Sequence, residues 1–327
     1  MNSFREYLSN KQLRPTTVEN YTRRLGQLQR QCDLDPLCRC AWLRDSASME
    51  RVKTFVMGQK HDARINWCCV LKNAADMVDP ESSDIGLQPV RNFAREVTIS
   101  SNLEKKDQNK QQKLMYQEVG RWKGAVDLER NLKALEEASK ARPDDFLLHL
   151  RYLLYALYLG MKDICVFRLD VVYKTVIGYK GDTADADNHV TLGRRGEPAT
   201  FTFTDYKTTG HYGTTLTEAP KELSEILEDS YRRFPRRYLF PVRTDTNKPM
   251  VQANAARFVE SAWILNKEKG PSANDIRSAL TTRFFLLNMD IVSRERFARR
   301  SMSNYQNMEA QYFKVHESST RSLAFDD

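Results

Sequence analysis

Tyr312, Arg277 and Lys207 are the residues of this chain whose types and order could do chemistry together. Displacing an oxygen from a phosphodiester needs an oxygen nucleophile, positive charge on the non-bridging oxygens and a proton for the leaving group. A phenol suits the first task, because the aryl phosphate it forms conserves bond energy for the return step. Tyr312 lies on an expected helix beside Phe313 and Lys314. Arg277 follows Ser272-Ala273-Asn274-Asp275, an N-cap run, so it stands one turn into a helix. There a guanidinium fork and the positive helix end both favour phosphate. Lys207 sits at the turn of an expected β-hairpin. Each has a plainer reading beside it. Most of the 14 tyrosines must be packing residues, most arginines surface residues, and a turn lysine is often only solvated.

The elements that would position these residues fall into two blocks. In the first, Thr16-Thr17 are expected to cap a helix with Val18, Tyr21, Leu25 and Leu28 on one face. Met49–Met57 and Ala63–Met77 read as two more helices, the second burying Ile65, Cys69, Leu71 and Ala75, and Pro80 ends the block. Residues 102–113 are charged and poor in apolar side chains, as an interdomain linker would be. From about Leu114 some three helices lead to Gly160, the last of them the apolar run Phe146–Gly160. Asp170–Ile177 and Thr200–Thr204 alternate like strands, and Tyr212–Thr217 is expected to return antiparallel to the latter. Helices follow near Lys221–Tyr231, Val251–Asn266, Asp275–Leu287, Ser293–Arg300 and Met308–Val315.

The 327 residues are enough for two ordinary domains, and 41% hydrophobic with 29% charged residues supports packed cores. A formal charge of +8 favours polyanionic partners. The N-terminus lacks the apolar core of a signal peptide, and His149 and Arg151 interrupt the one long apolar run, so a soluble, intracellular protein without membrane contact is expected. Six cysteines without an export signal read as buried thiols. Cys32, Cys38 and Cys40 with Cys68 or Cys69 match no paired Cys-x-x-Cys pattern for zinc.

A hairpin lysine, a helical arginine and a late tyrosine, in that order, resemble the catalytic half of tyrosine recombinases. Those enzymes cut and rejoin DNA through a covalent phosphotyrosine. The resemblance spans nearly the whole chain, with its specific motifs between Gly160 and Lys314. The hairpin Tyr206-Lys207-Thr208 to Tyr212-Gly213 is similar to viral and mobile-element members. It implies a mainly α protein shaped as a C-shaped clamp. A helical core-binding domain would occupy residues 1–100, a basic linker 101–113, and an α+β catalytic domain with a small antiparallel sheet 114–327.

The resemblance also assigns roles. Lys207 would reach into the minor groove and protonate the leaving 5′-oxygen, and Arg277 would be the second of two arginines clamping the scissile phosphate. The first is expected in a Gly-Leu-Arg motif, where this chain has Gly160-Met161-Lys162. Lys162 keeps the charge but loses the bidentate fork. Leu169 supports this register, and Arg168 is a fallback phosphate ligand. Asn274 stands where a histidine or lysine is usual, and can donate a hydrogen bond without exchanging a proton near neutral pH. Ser303 stands nine residues before Tyr312 where histidine or tryptophan is usual, within Ser301-Met302-Ser303-Asn304 in place of Leu-Gly-His-Ser. Tyr305 is a poorer nucleophile candidate, and His211, in the lysine's turn, is a DNA or solvent contact.

Together these imply double-stranded DNA as partner, self-association as a dimer or tetramer on it, and no cofactor or metal. Arg23, Arg24, Lys105, Lys106, Lys110 and Lys113 are further DNA contacts by charge placement. Retention of Tyr312, Lys207 and Arg277 favours a site-specific recombinase or integrase working through a 3′-phosphotyrosine intermediate. The substitutions at Lys162, Asn274 and Ser303 favour a catalytically impaired DNA-binding structural or packaging factor on the same fold. A type IB topoisomerase shares the chemistry, but the small N-terminal block argues against it.

Overall fold

The computed structural model describes residues 2–36, 40–118, 124–193, 196–206, 208–266, 269–288 and 290–313. The chain divides into two compact units, Met1–Glu118 and Val119–Asp327. It is mainly helical with a small four-stranded sheet, as the residue patterns lead one to expect, and a two-stranded ribbon beside it in sequence.

The first unit contains only helices among its described residues. They are α1 (Asn2–Asn10), α2 (Pro15–Gln31), α3 (Ser46–Met57), α4 (His61–Val78) and α5 (Gln88–Glu118), with 3-10 turns at Ala41–Arg44 and Ile85–Leu87. Helix α2 starts earlier than Thr16-Thr17 suggest. Arg14 is its N-cap and Pro15 its first residue, where a fixed φ and a missing N–H cost nothing. Helix α4 turns Trp67, Val70, Leu71, Ala74 and Ala75 inward, spaced as one helical face, against Val90, Ala94 and Val97 of α5. Ile65 and Cys69, expected in that face, are only half-buried, because Trp67 and Val70 define the stripe. The turn from α4 to α5 closes on Asp79, which accepts from the Asp84 and Ser83 amides at 2.9 and 3.3 Å and from Arg91 at 3.2 Å. Residues 101–113, expected as a linker, are helical and belong to α5.

In the second unit, α6 (Ala125–Ala141) and α7 (Phe146–Gly160) pack as a pair, where three helices were expected. Ten of the fifteen residues of α7 are buried, as a helix apolar on every side must be. The run Asp170–Ile177 is not one strand. Its first half is the short helix α8 (Asp170–Tyr173), where the Tyr173 hydroxyl donates to Asp170 at 2.8 Å; only its end enters β1 (Val176–Tyr179). Strands β2 (Asn188–Leu192), β3 (Thr200–Phe203) and β4 (Thr215–Glu218) complete a sheet of order β1-β2-β3-β4. Its β2–β3 and β3–β4 pairs are antiparallel, with Phe201 opposite Thr217. The β1–β2 pair is parallel, so the sheet is mixed rather than wholly antiparallel. Residues 180–187 make the return, shorter than the dozen residues such a crossover usually takes.

The connection from β3 to β4 holds one helical turn, α9 (Thr209–Tyr212). Helix α10 (Lys221–Arg233), the ribbon β5 (Pro241–Val242) and β6 (Asp245–Pro249), and α11 (Gln252–Ser261) follow. The chain then forms α12 (Ala273–Leu287), α13 (Ile291–Arg300) and α14 (Tyr305–Tyr312). Helix α12 is central, with buried residues running from Ile276 to Leu280 and on to Phe284 and Phe285. That position carries Arg277 inside with its apolar neighbours.

Candidate active site

Helix α12 begins in a capping box: the Ser272 hydroxyl accepts from the Asp275 amide at 3.3 Å, and the Asp275 carboxylate accepts from the Ser272 amide at 2.9 Å. That start places Asn274 in the exposed first turn and Arg277 on the inward face, only 2% exposed. The guanidinium is poorly served there. Nη2 lies 3.5 Å from the Ser301 carbonyl and 3.8 Å from the Met308 sulfur, while Nε has no partner. No carboxylate pairs with it among the described residues. Burial therefore pushes its pKa down, opposed in part by Tyr312.

Arg236 shows what a structural arginine looks like in the same unit. At 4% exposure it donates to the carbonyls of Leu239, Ser230 and Phe234 at 3.1, 3.0 and 2.8 Å, and to the Ser230 hydroxyl at 2.9 Å. Every arm of its fork is occupied. Arg277 is equally buried and nearly empty-handed, although a buried charge ordinarily demands pairing.

Tyr312 is the last residue of α14, and its ring lies over the Arg277 guanidinium at 4.8 Å. Helix α14 packs on α12 and α13 through Met308, which is fully buried, and the Thr282 hydroxyl donates to the Tyr312 carbonyl at 3.2 Å. The structure thus brings the sequence-expected arginine and tyrosine into contact. Tyr305, at the start of α14, instead donates its hydroxyl to Glu309 at 2.6 Å. That bond to a carboxylate raises its pKa, which suits it poorly as a nucleophile.

The turn between α13 and α14 organises the surroundings. Helix α13 ends in a Schellman motif: the Met302 amide donates to Arg299 and the Ser303 amide to Ala298, both at 3.0 Å. Met302 adopts φ 57°, a left-handed conformation usually filled by glycine. Three contacts meet at this turn. The Ser301 hydroxyl accepts from the Val166 amide at 2.9 Å, the Ser301 carbonyl faces Arg277, and the Met302 carbonyl accepts from the Thr208 hydroxyl at 2.9 Å. Ser303, half-buried, follows directly. Ser301 and Met302 had no role in the sequence reading; the only available sign was methionine standing where Gly is usual.

The remaining expectations divide. Lys162 is not in this cluster's contacts; its ammonium is held by Glu129 of α6 at 2.6 Å, with the two side chains 26% and 44% exposed. Arg168 contacts Asp170 through Nε at 3.4 Å, and its charge bears on Arg277. Lys207 lies outside the described residues, although its neighbour Thr208 is tied to the Met302 turn. The side chains of His211, Lys105, Lys106, Lys110 and Lys113 also lie outside them. Arg23 is exposed, and Arg24 stacks its guanidinium 5.1 Å over Trp67. Cys38 lies outside the described residues, among which no group of metal-ligating side chains gathers. No helix among the described residues is long and apolar enough to cross a membrane.

No family model matches the chain, and no curated protein does. Among solved structures it is similar to the XerA recombinase, at 14% identity and a TM-score of 0.38 over 98% of this chain and 96% of that one. The functional reading therefore rests on the geometry around Arg277.

Proposed function

We propose that this chain binds double-stranded DNA and cleaves and rejoins its strands in the manner of tyrosine recombinases, with Tyr312 as nucleophile. The observation that carries the reading is a buried arginine without an anionic partner among the described residues, in contact with Tyr312 at the end of α14. A phosphodiester entering there would supply the missing counter-charge. Its non-bridging oxygens would take charge-assisted hydrogen bonds from Arg277, strongest as negative charge builds on the pentacoordinate phosphorus. The Tyr312 oxygen would bond to phosphorus, its phenolic proton passing to solvent, as the phosphorus bond to the 5′-oxygen breaks and that oxygen takes a proton, a task that suits Lys207. The reverse step would restore the strand and free the phenol. Ser303 and Asn274 can each add a neutral hydrogen bond to the phosphate, but neither can shuttle a proton at neutral pH.

Because the ring lies over the guanidinium, phosphate binding requires Tyr312 to shift. Its place at the very end of α14 makes that movement cheap, since helix ends fray before helix centres.

A second reading has its own support. Lys162, the residue at the first clamp position, is neutralised by Glu129. With Asn274 and Ser303 also substituted, the same site could hold DNA without cutting it. A nicked suicide duplex separates the readings: a covalent protein–DNA adduct lost in Tyr312→Phe supports cleavage, and tight duplex binding without adduct supports the structural role. Both readings require salt-sensitive binding, since phosphate contacts release counterions. Affinity that stayed flat as salt rose several-fold would exclude both.

A further inference from the structure

We infer that Arg168, and not Lys162, supplies the second cation of the phosphate site centred on Arg277, an inference that rests on the reading proposed above. Negative charge builds on both non-bridging oxygens of a phosphodiester as phosphorus becomes pentacoordinate, and the single charge of Arg277 offsets only part of it. The second cation must therefore come from an element already tied to the Arg277 platform. The segment 165–170 is so tied, because the Val166 amide donates to the hydroxyl of Ser301, whose carbonyl faces Arg277. Arg168 is two residues on, and its side chain is 23% exposed. Its closest approach to Asp170 is through Nε, at a long 3.4 Å, and its Nη1 and Nη2 donate no hydrogen bond among the described residues. Asp170 is itself shared, accepting from Tyr173 at 2.8 Å and lying 3.6 Å from Lys174, so it does not fully claim Arg168. The terminal fork is the part that grips phosphate.

Lys162 fails the same requirements. Its ammonium is committed to Glu129 at 2.6 Å, and its backbone continues the end of α7 rather than the segment bonded to Ser301. The neighbouring Asp163 is paired with Arg283, so Arg283 too is already committed to a carboxylate. A phosphate reaching Lys162 would have to displace the Glu129 carboxylate.

The test uses the full chain and a fluorescent duplex of about 30 base pairs, with affinity measured across a salt series. Each lost phosphate contact lowers the slope of log K against log salt by about 0.9. Arg168→Gln and Arg277→Gln are each expected to lower it by that amount, Arg168→Lys to restore it, and Lys162→Gln to leave it unchanged. An unchanged thermal melt in Arg168→Gln distinguishes a phosphate contact from a role confined to bracing Asp170. Arg277→Met stands in should Arg277→Gln not fold. If the Arg277 variants flatten the slope while Arg168→Gln does not, or if Lys162→Gln does, the assignment of Arg168 is overturned and the phosphate site stands. If neither Arg277 variant moves the slope, both the assignment and the site it rests on are overturned.

Discussion

Replacing Arg277 with methionine should make this protein more stable and less able to bind DNA. Methionine follows the arginine stem to about Nε and adapts to irregular spaces, so it keeps the apolar part of the packing without the charge. The wild-type guanidinium is 2% exposed, has an unpartnered Nε and makes only long contacts at 3.5 and 3.8 Å. A buried ion costs several kcal/mol. Against this stands the ring of Tyr312 at 4.8 Å, worth about 2 kcal/mol for a desolvated cation–π contact. The two long contacts add less than about 1 kcal/mol together. The balance favours Arg277→Met by about 1–3 kcal/mol. For a unit of this size that raises the melting temperature by about 2–4 °C for each kcal/mol. Calorimetry of the full chain, following the transition of the second unit, reads the shift, and duplex binding across salt reads the loss of function. A loss of more than about 1 kcal/mol in Arg277→Met would show that the arginine braces the fold, as Arg236 does, and would refute the reasoning.

Further outcomes follow from other parts of the second unit. Burial first, and then the charges of Arg233 and Arg236, push His149 down to about 4. With the folded value below the unfolded one of about 6.5, its contribution is whole above pH 6.5 and lost as pH falls towards 4, by up to about 3 kcal/mol. Denaturant titrations at pH 7 and 4.5 should show that loss, and His149→Gln should flatten it. Met302 is fully buried at φ 57°, so both Met302→Gly and Met302→Ala should destabilise. Glycine should nevertheless be the better replacement by about 1 kcal/mol, reversing the usual order, because alanine keeps the left-handed strain. Lys162→Arg should leave both duplex affinity and any cleavage rate unchanged, as Glu129 would hold the new fork as it holds the ammonium; a clear gain in rate would return the clamp role to that position.

Much of this architecture could be read from periodicity and capping. Helix α7 shows in its apolar run, and α12 in the box of Ser272 and Asp275. The Arg277 and Tyr312 contact joins residues whose order along the chain had already singled them out. Other features depend on partners that no local pattern reveals. Asp170–Tyr173 alternates like a strand, yet a bond from Tyr173 to Asp170 closes a helical turn. The parallel entry of β1 into the sheet is a choice of pairing made across residues 180–187. The pairing of Lys162 with Glu129 joins positions 33 residues apart, and no motif at either end signals it. Ser301 gains its role only when Val166, Arg277 and the α13–α14 turn are brought together in space.

The measurement closest to the central claim is mapping of the covalent adduct on a nicked suicide duplex. Full-length protein is incubated with the duplex, digested, and the peptide carrying nucleotide located by mass spectrometry. The account predicts one modified peptide with the nucleotide on Tyr312, absent from Tyr312→Phe and from Arg277→Met, while Tyr312→Phe still binds the duplex. Nucleotide on Tyr305 or another side chain, an adduct that survives Tyr312→Phe, or a wild type that binds the duplex tightly and never forms one would contradict it.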